Sequence, residues 1–308
     1  MRLDHHQRYL VEEFAADYLA RRMSRRDLLR RALQVTGSVP LTASVLFALG
    51  CGGSEPEATP TPTTAPPTPA PTATPAGRVA EDDPAITAET VRFPGLAGEL
   101  IAYRARPRAD GVYPGVVVIH ENRGLVDHIK DVARRYAKEG FVAVAVDLAS
   151  RGGGTGGGGS PTGRNTEENR ADLLAYTAYL KGLPFVRAGA LGATGFCFGG
   201  GMTWELVVNS PDIRAAAPYY GTAASAFGRF ADVRAAMLVV YGGADTRITS
   251  ERQQVEDGLR AAGKTYEIKV YDGAGHAFFN DTGGAYDAAA AADAWQATLA
   301  WLRRHLAG

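Results

Sequence analysis

Residues 195–200 read Gly-Phe-Cys-Phe-Gly-Gly (GFCFGG) and directly follow the apolar stretch Ala190–Thr194. The pattern G-x-C-x-G lies between a segment that reads as a strand and one that reads as a helix, Gly199–Asn209. That is a nucleophile-elbow arrangement with cysteine where serine is commoner. A nucleophile on so sharp a turn has crowded neighbours, and Gly195 and Gly199 clear the space. The following helix would point its N-terminus at Cys197, favouring a thiolate and the oxyanion formed on attack. The backbone N–H of Phe198 is then one candidate oxyanion donor. The alternative is a packed structural cysteine, since an unbridged cysteine is often buried.

Strand and helix signals alternate on both sides of this turn. Thr90–Phe93 and Leu100–Arg104 read as an opening antiparallel pair. Gly115–His120 (GVVVIH) is a β-branched run with a polar end, the pattern of a buried strand. Asp127–Glu139 carries Ile129, Val132, Ala133, Tyr136 and Ala137 on one helical face, and Gly140 closes it. Phe141–Val146 is a second buried strand. Glu167–Lys181 is a helix, Ala190–Thr194 a short strand, and Ala215–Tyr220 and Met237–Gly242 further strands. Ser250–Ala262 reads as a helix capped by its serine, Tyr266–Tyr271 as a strand, and Tyr286–His305 as a long alanine-rich helix. This alternation predicts an α/β fold: a mainly parallel central sheet with helices on both faces. The stretch RGGGTGGGGSPTGRN, residues 151–165, resembles a phosphate loop only superficially. It lacks the GK[ST] ending, and it reads as a mobile surface loop or lid.

A nucleophile needs a base, and the base needs an orienter. Asp245 follows the strand in MLVVYGGAD, and His276 follows the strand in YEIKVYDGAGH. The order nucleophile, acid, histidine is the one this turn type uses, and open α/β sheets place their sites in loops at the C-terminal ends of strands. Among the six histidines, His276 alone fits both the order and the loop. It would take the thiol proton while Asp245 holds its ring. A turn carboxylate and a surface histidine are the plainer readings.

Taken together, HENRG (120–124), VDLASR (146–151), GFCFGG (195–200), YYG (219–221), GGAD (242–245) and GHAFFN (275–280) resemble the dienelactone hydrolase (carboxymethylenebutenolidase-like) family of α/β-hydrolases, over about residues 85–306. The resemblance implies an α/β-hydrolase fold and hydrolysis of a small activated ester or lactone through a cysteine acyl-enzyme. It also implies that Glu121 contacts the cysteine and controls when it ionises, because a carboxylate beside a thiol disfavours the thiolate. Asn122 would supply the second oxyanion N–H. Arg151 matches one of the family's two substrate-binding arginines, and Asn280 stands where the second belongs, a departure that puts dienelactone specificity in doubt. A thioesterase or other carboxylesterase on the same site is one alternative. A cell-envelope binding protein without turnover is another.

The chain before residue 79 has a different character. SRRDLLR (24–30), followed by a moderately apolar run from Ala32 to Leu49, resembles a twin-arginine export signal; a basic amphipathic helix of the folded body is the alternative. The apolar run is short and rich in Thr, Ser, Gly and Pro for a membrane span. LFALGCGG resembles a lipobox, with Ala48 where leucine is usual. This makes Cys51 a candidate lipid anchor, against simple cleavage nearby or an uncleaved anchor. The Pro/Thr alternation after it favours extended polyproline II and reads as a semi-rigid spacer. The expected organisation is therefore residues 1–54 as the N-terminal signal region, 55–78 as linker and 79–308 as the hydrolase domain. With 33 basic and 33 acidic residues and no run of like charge after the N-terminus, the composition gives no nucleic-acid surface. The expected partners are a small ester or lactone substrate and the twin-arginine export machinery. An exported monomer is expected, at the periplasmic or extracellular face, with neither metal nor cofactor.

Overall fold

A computed structural model describes residues 5–19, 23–49, 77–159 and 165–307. They divide into two compact units, 1–78 and 79–308. The first holds three helices: α1 (His5–Leu19), α2 (Arg25–Thr36) and α3 (Val39–Ala48). Ser24 caps α2 by accepting from the Asp27 N–H, and Gly37 closes it at φ 64°. Arg25 and Arg26 are exposed in its first turn. No helix among the described residues is long and apolar enough to cross a membrane. Cys51 and residues 55–76 of the Pro/Thr-rich stretch lie outside the described residues.

The second unit is built on eight strands: β1 (Ile86–Gly95), β2 (Gly98–Pro107), β3 (Tyr113–Ile119), β4 (Val142–Val146), β5 (Val186–Phe196), β6 (Ile213–Tyr219), β7 (Ala236–Gly242) and β8 (Tyr266–Tyr271). Between and after them run α4 (Asp127–Lys138), α5 (Thr166–Lys181), α6 (Phe198–Asn209), the single turn α7 (Thr246–Thr249), α8 (Arg252–Ala261) and α9 (Ala288–Leu306). The sheet order is β1-β2-β4-β3-β5-β6-β7-β8. β1–β2 and β2–β4 are antiparallel and the rest is parallel.

The central strands are covered on both faces, which is why they read as unbroken apolar runs. Val142–Val146 is buried at every position. Gly115 pairs with Leu191, and a Cβ on Gly115 would meet Leu180 of α5. The next residue on β5, Gly192, points the other way, where a Cβ would meet Leu302 of α9. Helices α5 and α9 therefore cover opposite faces. Tyr136 of α4 packs against Trp295 of α9, the rings tilted with centroids 4.6 Å apart, so α4 shares the α9 face.

One local reading is corrected. Ser250 does not cap α8. The chain makes the separate turn α7 first, Ser250 bonds back to the Arg247 carbonyl at 2.9 Å, and Glu251 takes the cap position without capping. The Glu251 carboxylate is used elsewhere, on Thr222 Oγ1 at 2.7 Å and the Ala223 N–H at 2.8 Å. The glycine-rich segment, over its described residues 151–159, is a mostly exposed surface loop drawn into a hydrogen-bonded knot. Asp147, at the end of β4, accepts from the N–H groups of Ala149 (3.0 Å) and Thr155 (2.7 Å) and from the Thr155 hydroxyl (2.9 Å). The glycines are needed because Gly159 packs on the Ala149 carbonyl and Gly157 on that of Gly153, where side chains have no room.

Candidate active site

Cys197 joins β5 to α6 with φ 56° and ψ −118°, a conformation L-residues rarely adopt. Two sets of contacts hold it there. The Cys197 N–H donates to the Tyr219 carbonyl at 3.1 Å, and its carbonyl accepts from Gly200 at 2.9 Å and Gly201 at 3.2 Å. A Cβ at Gly195 would collide with the Gly199 carbonyl, and one at Gly199 with the carbonyls of Ile119 and His120. The two glycines thus let helix α6 start hard against β3. The thiol is buried at 3% exposure, at the N-terminus of a 12-residue helix.

His276 reaches this point from the loop after β8. Its Nδ1 is 2.5 Å from Asp245 Oδ2, and a ring nitrogen lies within 4.8 Å of Cys197 Sγ. Because Nδ1 is engaged by the carboxylate, Nε2 is the nitrogen left for the thiol. The loops carrying the two residues are laced together. Ala244 N–H donates to Ala274 O at 2.9 Å, and Gly243 N–H to Tyr271 O at 2.8 Å. Asp245 is itself buried, which strengthens a charge-assisted bond to the imidazole.

Glu121 sits two residues beyond β3, the strand whose Ile119 pairs with Gly195 at the base of the elbow. It is buried. Asn280 Nδ2 donates to its Oε2 at 2.5 Å, and its Oε1 is buried without a hydrogen-bond partner. The Asn280 amide is oriented by Thr282, whose N–H (3.0 Å) and hydroxyl (2.6 Å) both reach Asn280 Oδ1. Asn280, expected at the substrate, is therefore committed to the glutamate. Asn122 is buried in the same loop. That loop is tied to the glycine-rich knot by the Leu125 N–H to Thr155 Oγ1 bond at 2.8 Å. The backbone of Phe198 opens α6 beside Cys197, as an oxyanion donor must.

Arg151, the arginine expected at the substrate, is paired within the protein. Its guanidinium forks onto Asp172, Nε to both carboxylate oxygens (3.2 and 3.1 Å) and Nη2 to Oδ1 at 2.7 Å, with Glu168 at 3.7 Å from Nη1. Asp172 is 1% exposed, so an incoming carboxylate would have to strip the arginine from a buried anion. Arg151→Ala is expected to cost about 3 kcal/mol of stability, as breaking a buried pair does. It should slow hydrolysis of neutral and carboxylate-bearing lactones alike. A KM rise of about ten-fold confined to the carboxylate substrates would return Arg151 to the ligand.

Two residues of the quoted motifs gain roles that the sequence reading did not give them. His120 Nε2 accepts the Leu148 N–H at 3.1 Å, so its proton is on Nδ1, which donates to the Glu121 carbonyl at 2.7 Å. Burial pushes the His120 imidazole below its ordinary pKa and keeps it neutral in this role. Tyr220, also at positive φ (35°), sets its ring edge-on to His276, centroids 5.1 Å apart. Burial, with the fields of Glu121 and Cys197, holds its phenol well above the ordinary range. The signal for both lay in the motifs HENRG and YYG, but only the tertiary fold shows what the side chains face.

An eight-stranded, mostly parallel sheet with a sharp glycine-flanked strand–turn–helix elbow at the end of β5 and a histidine–aspartate pair delivered from the ends of β8 and β7 defines an α/β-hydrolase. Within that class the family is resolved by likeness. Residues 100–306 match the Dienelactone hydrolase family, and the chain belongs to it. It is 34% identical over 250 residues to a "Putative carboxymethylenebutenolidase" of Methylorubrum extorquens, covering 74% of this chain and 84% of the relative. Among solved structures it resembles a "Putative Dienelactone Hydrolase" from Klebsiella pneumoniae, with 31% identity and TM-score 0.64 over 71% of this chain and 99% of that one. It also resembles a dienelactone hydrolase-like promiscuous phosphotriesterase from metagenomic libraries, with 26% identity and TM-score 0.65 over 72% and 99%. The protein is a carboxylic ester hydrolase.

Proposed function

We propose that this hydrolase cleaves small, activated, predominantly neutral esters or lactones through an acyl-thioester on Cys197. The observation that carries the reading is the His276–Asp245 pair, 2.5 Å long, with a histidine nitrogen within 4.8 Å of the Cys197 sulfur. Sγ attacks the substrate carbonyl while His276 Nε2 takes the thiol proton. The N–H groups of Phe198 and Asn122 receive the oxyanion, and the leaving alkoxide regains a proton from His276. Water, deprotonated by His276, then releases the acid. The substrate bond must be activated, because a thiolate is expelled from the tetrahedral intermediate more easily than a simple alkoxide.

The preference for neutral substrates rests on the two positions where an anion would be gripped. Arg151 is neutralised by Asp172, and Asn280 is bonded to Glu121. In the resting state Glu121 guards the thiol, and substrate entry displaces its carboxylate. Stopped-flow hydrolysis of a p-nitrophenyl ester tests the mechanism. It should give a burst of one equivalent of nitrophenol, and the acyl mass should map to the peptide containing Cys197. A linear time course with no acylated peptide would overturn it.

We further propose export by the twin-arginine route, with Cys51 as the lipid-bearing residue and residues 55–78 as the linker to the hydrolase domain. Supporting it are the exposed Arg25–Arg26 pair and the short apolar α3 that follows. Replacing both arginines with lysine is expected to leave the protein in the cytoplasmic fraction, read by cell fractionation. Unchanged export would refute the route, and the mass of the mature N-terminus would decide the lipid.

A further inference from the structure

The loop that brings His276 to the site continues into a second buried histidine–carboxylate contact that the reaction does not use. Asp281 Oδ1 lies 3.0 Å from His128 Nδ1, and its Oδ2 accepts from Arg135 Nη2 at 2.7 Å. Arg135 Nε is in turn held by Asp131 Oδ2 at 2.7 Å. His128, Asp131 and Arg135 recur at i, i+3 and i+7, so they share one face of α4. The Asp281 and His128 side chains are 2% and 1% exposed.

Burying a loop carboxylate this completely is costly, and a buried ion pair is poor evidence for stability, since apolar packing there serves as well or better. What the pair supplies is a fixed position. Asn280, the adjacent residue, donates to Glu121, and its backbone is pinned through Ala277 and Gly283. Glu121 and α4 belong to one continuous stretch, residues 121–138. This stretch therefore grips the histidine loop twice, through Glu121–Asn280 and through α4–Asp281.

We propose that Asp281, clamped by His128 and Arg135, is a positioning residue that sets where Asn280 holds Glu121, and so how firmly Glu121 restrains the Cys197 thiol. This rests on the reading of Glu121 as guard of the thiol. With the clamp loosened, Asn280 loses its register, Glu121 leaves the thiol, and the thiolate forms more readily before substrate arrives.

The test is the pH dependence of iodoacetamide alkylation of the full chain, followed at the Cys197 peptide by mass spectrometry. Asp281→Asn is expected to alkylate about ten-fold faster than the native chain at pH 7, with the alkaline limit unchanged. Glu121→Gln should do the same. The double variant should be no faster than Glu121→Gln alone, since both act through one carboxylate. If Asp281→Asn does not fold, His128→Asn removes one grip and leaves Arg135, and a rise of about three-fold is expected from it. A native profile in the folded clamp variant, or rates that multiply in the double variant, would overturn the clamp. Esterase assays run alongside separate the two claims. Hydrolysis that survives Cys197→Ala sinks the mechanism whatever the alkylation cycle shows, and an unchanged alkylation profile sinks the clamp whatever the esterase does.

Discussion

Cys197→Ala is expected to lower kcat/KM for an activated ester by about 10⁴-fold or more, the scale at which nucleophile removal leaves only binding and the oxyanion site. The fold should survive. The substitution deletes one sulfur from a buried position, a loss of about 1 kcal/mol, and it keeps the Cβ that the positive-φ turn already accommodates. The hydrogen bonds that hold the elbow, from Tyr219 O and to the Gly200 and Gly201 N–H groups, are all backbone bonds and are untouched. Circular dichroism and thermal melting should match the native chain while the burst disappears. Near-native kcat in a folded alanine variant would remove Cys197 from the mechanism and leave hydrolysis to an activated water. Cys197→Ser is the weaker experiment. Its alkoxide needs a stronger base than a site arranged around a thiol supplies.

The elbow turn, the strand–helix alternation and the Cys–Asp–His order along the chain are legible because each depends on near neighbours in the sequence; the strand order, with β4 lying between β2 and β3, is not. Gly195 and Gly199 flank the nucleophile, and Asp245 and His276 each follow a recognisable apolar strand. Element boundaries were less visible where the sequence is small and polar. β5 begins at Val186 rather than Ala190, because residues 187–189 lie within a register irregularity between the Tyr113–Val186 and Gly115–Leu191 pairs and carry no apolar run. The fates of Arg151 and Asn280 were hidden for a different reason. The resemblance places both at the substrate, but their partners lie 21 and 159 residues away, at Asp172 and Glu121. A side chain's position in a motif says where it starts, whereas its hydrogen bonds depend on which distant acceptor the fold brings within 3 Å. The roles of His120 and Tyr220 are hidden for the same reason. A histidine ending a strand and a tyrosine in a turn look ordinary until the fold puts the Leu148 N–H on one and His276 beside the other.

Asp245→Asn is expected to reduce kcat/KM by about 10³- to 10⁴-fold at neutral pH, although it changes one oxygen into an NH₂ of the same size. The native carboxylate accepts from His276 Nδ1 at 2.5 Å, which leaves Nε2 as the lone-pair nitrogen facing the thiol. An asparagine can present its NH₂ to Nδ1 and so stabilise the opposite tautomer, with the proton on Nε2, where it cannot take one from Cys197. It also carries no charge to stabilise the imidazolium formed during acylation. His276→Ala removes the base outright and should lose at least as much, because the leaving alkoxide then also lacks a proton donor. The pH profile separates orientation from collapse of the site. Above the ordinary thiol pKa of about 8.5 the thiolate forms without a base. The acylation deficit of Asp245→Asn should therefore shrink as pH rises, while deacylation, which still needs His276 to activate water, becomes limiting. Single-turnover measurements should show the burst returning at high pH, followed by a slow steady state. An Asp245→Asn enzyme within about three-fold of native at pH 7 would show that His276 needs no carboxylate. A deficit constant across pH in both phases would show that the substitution had displaced the loop rather than the proton.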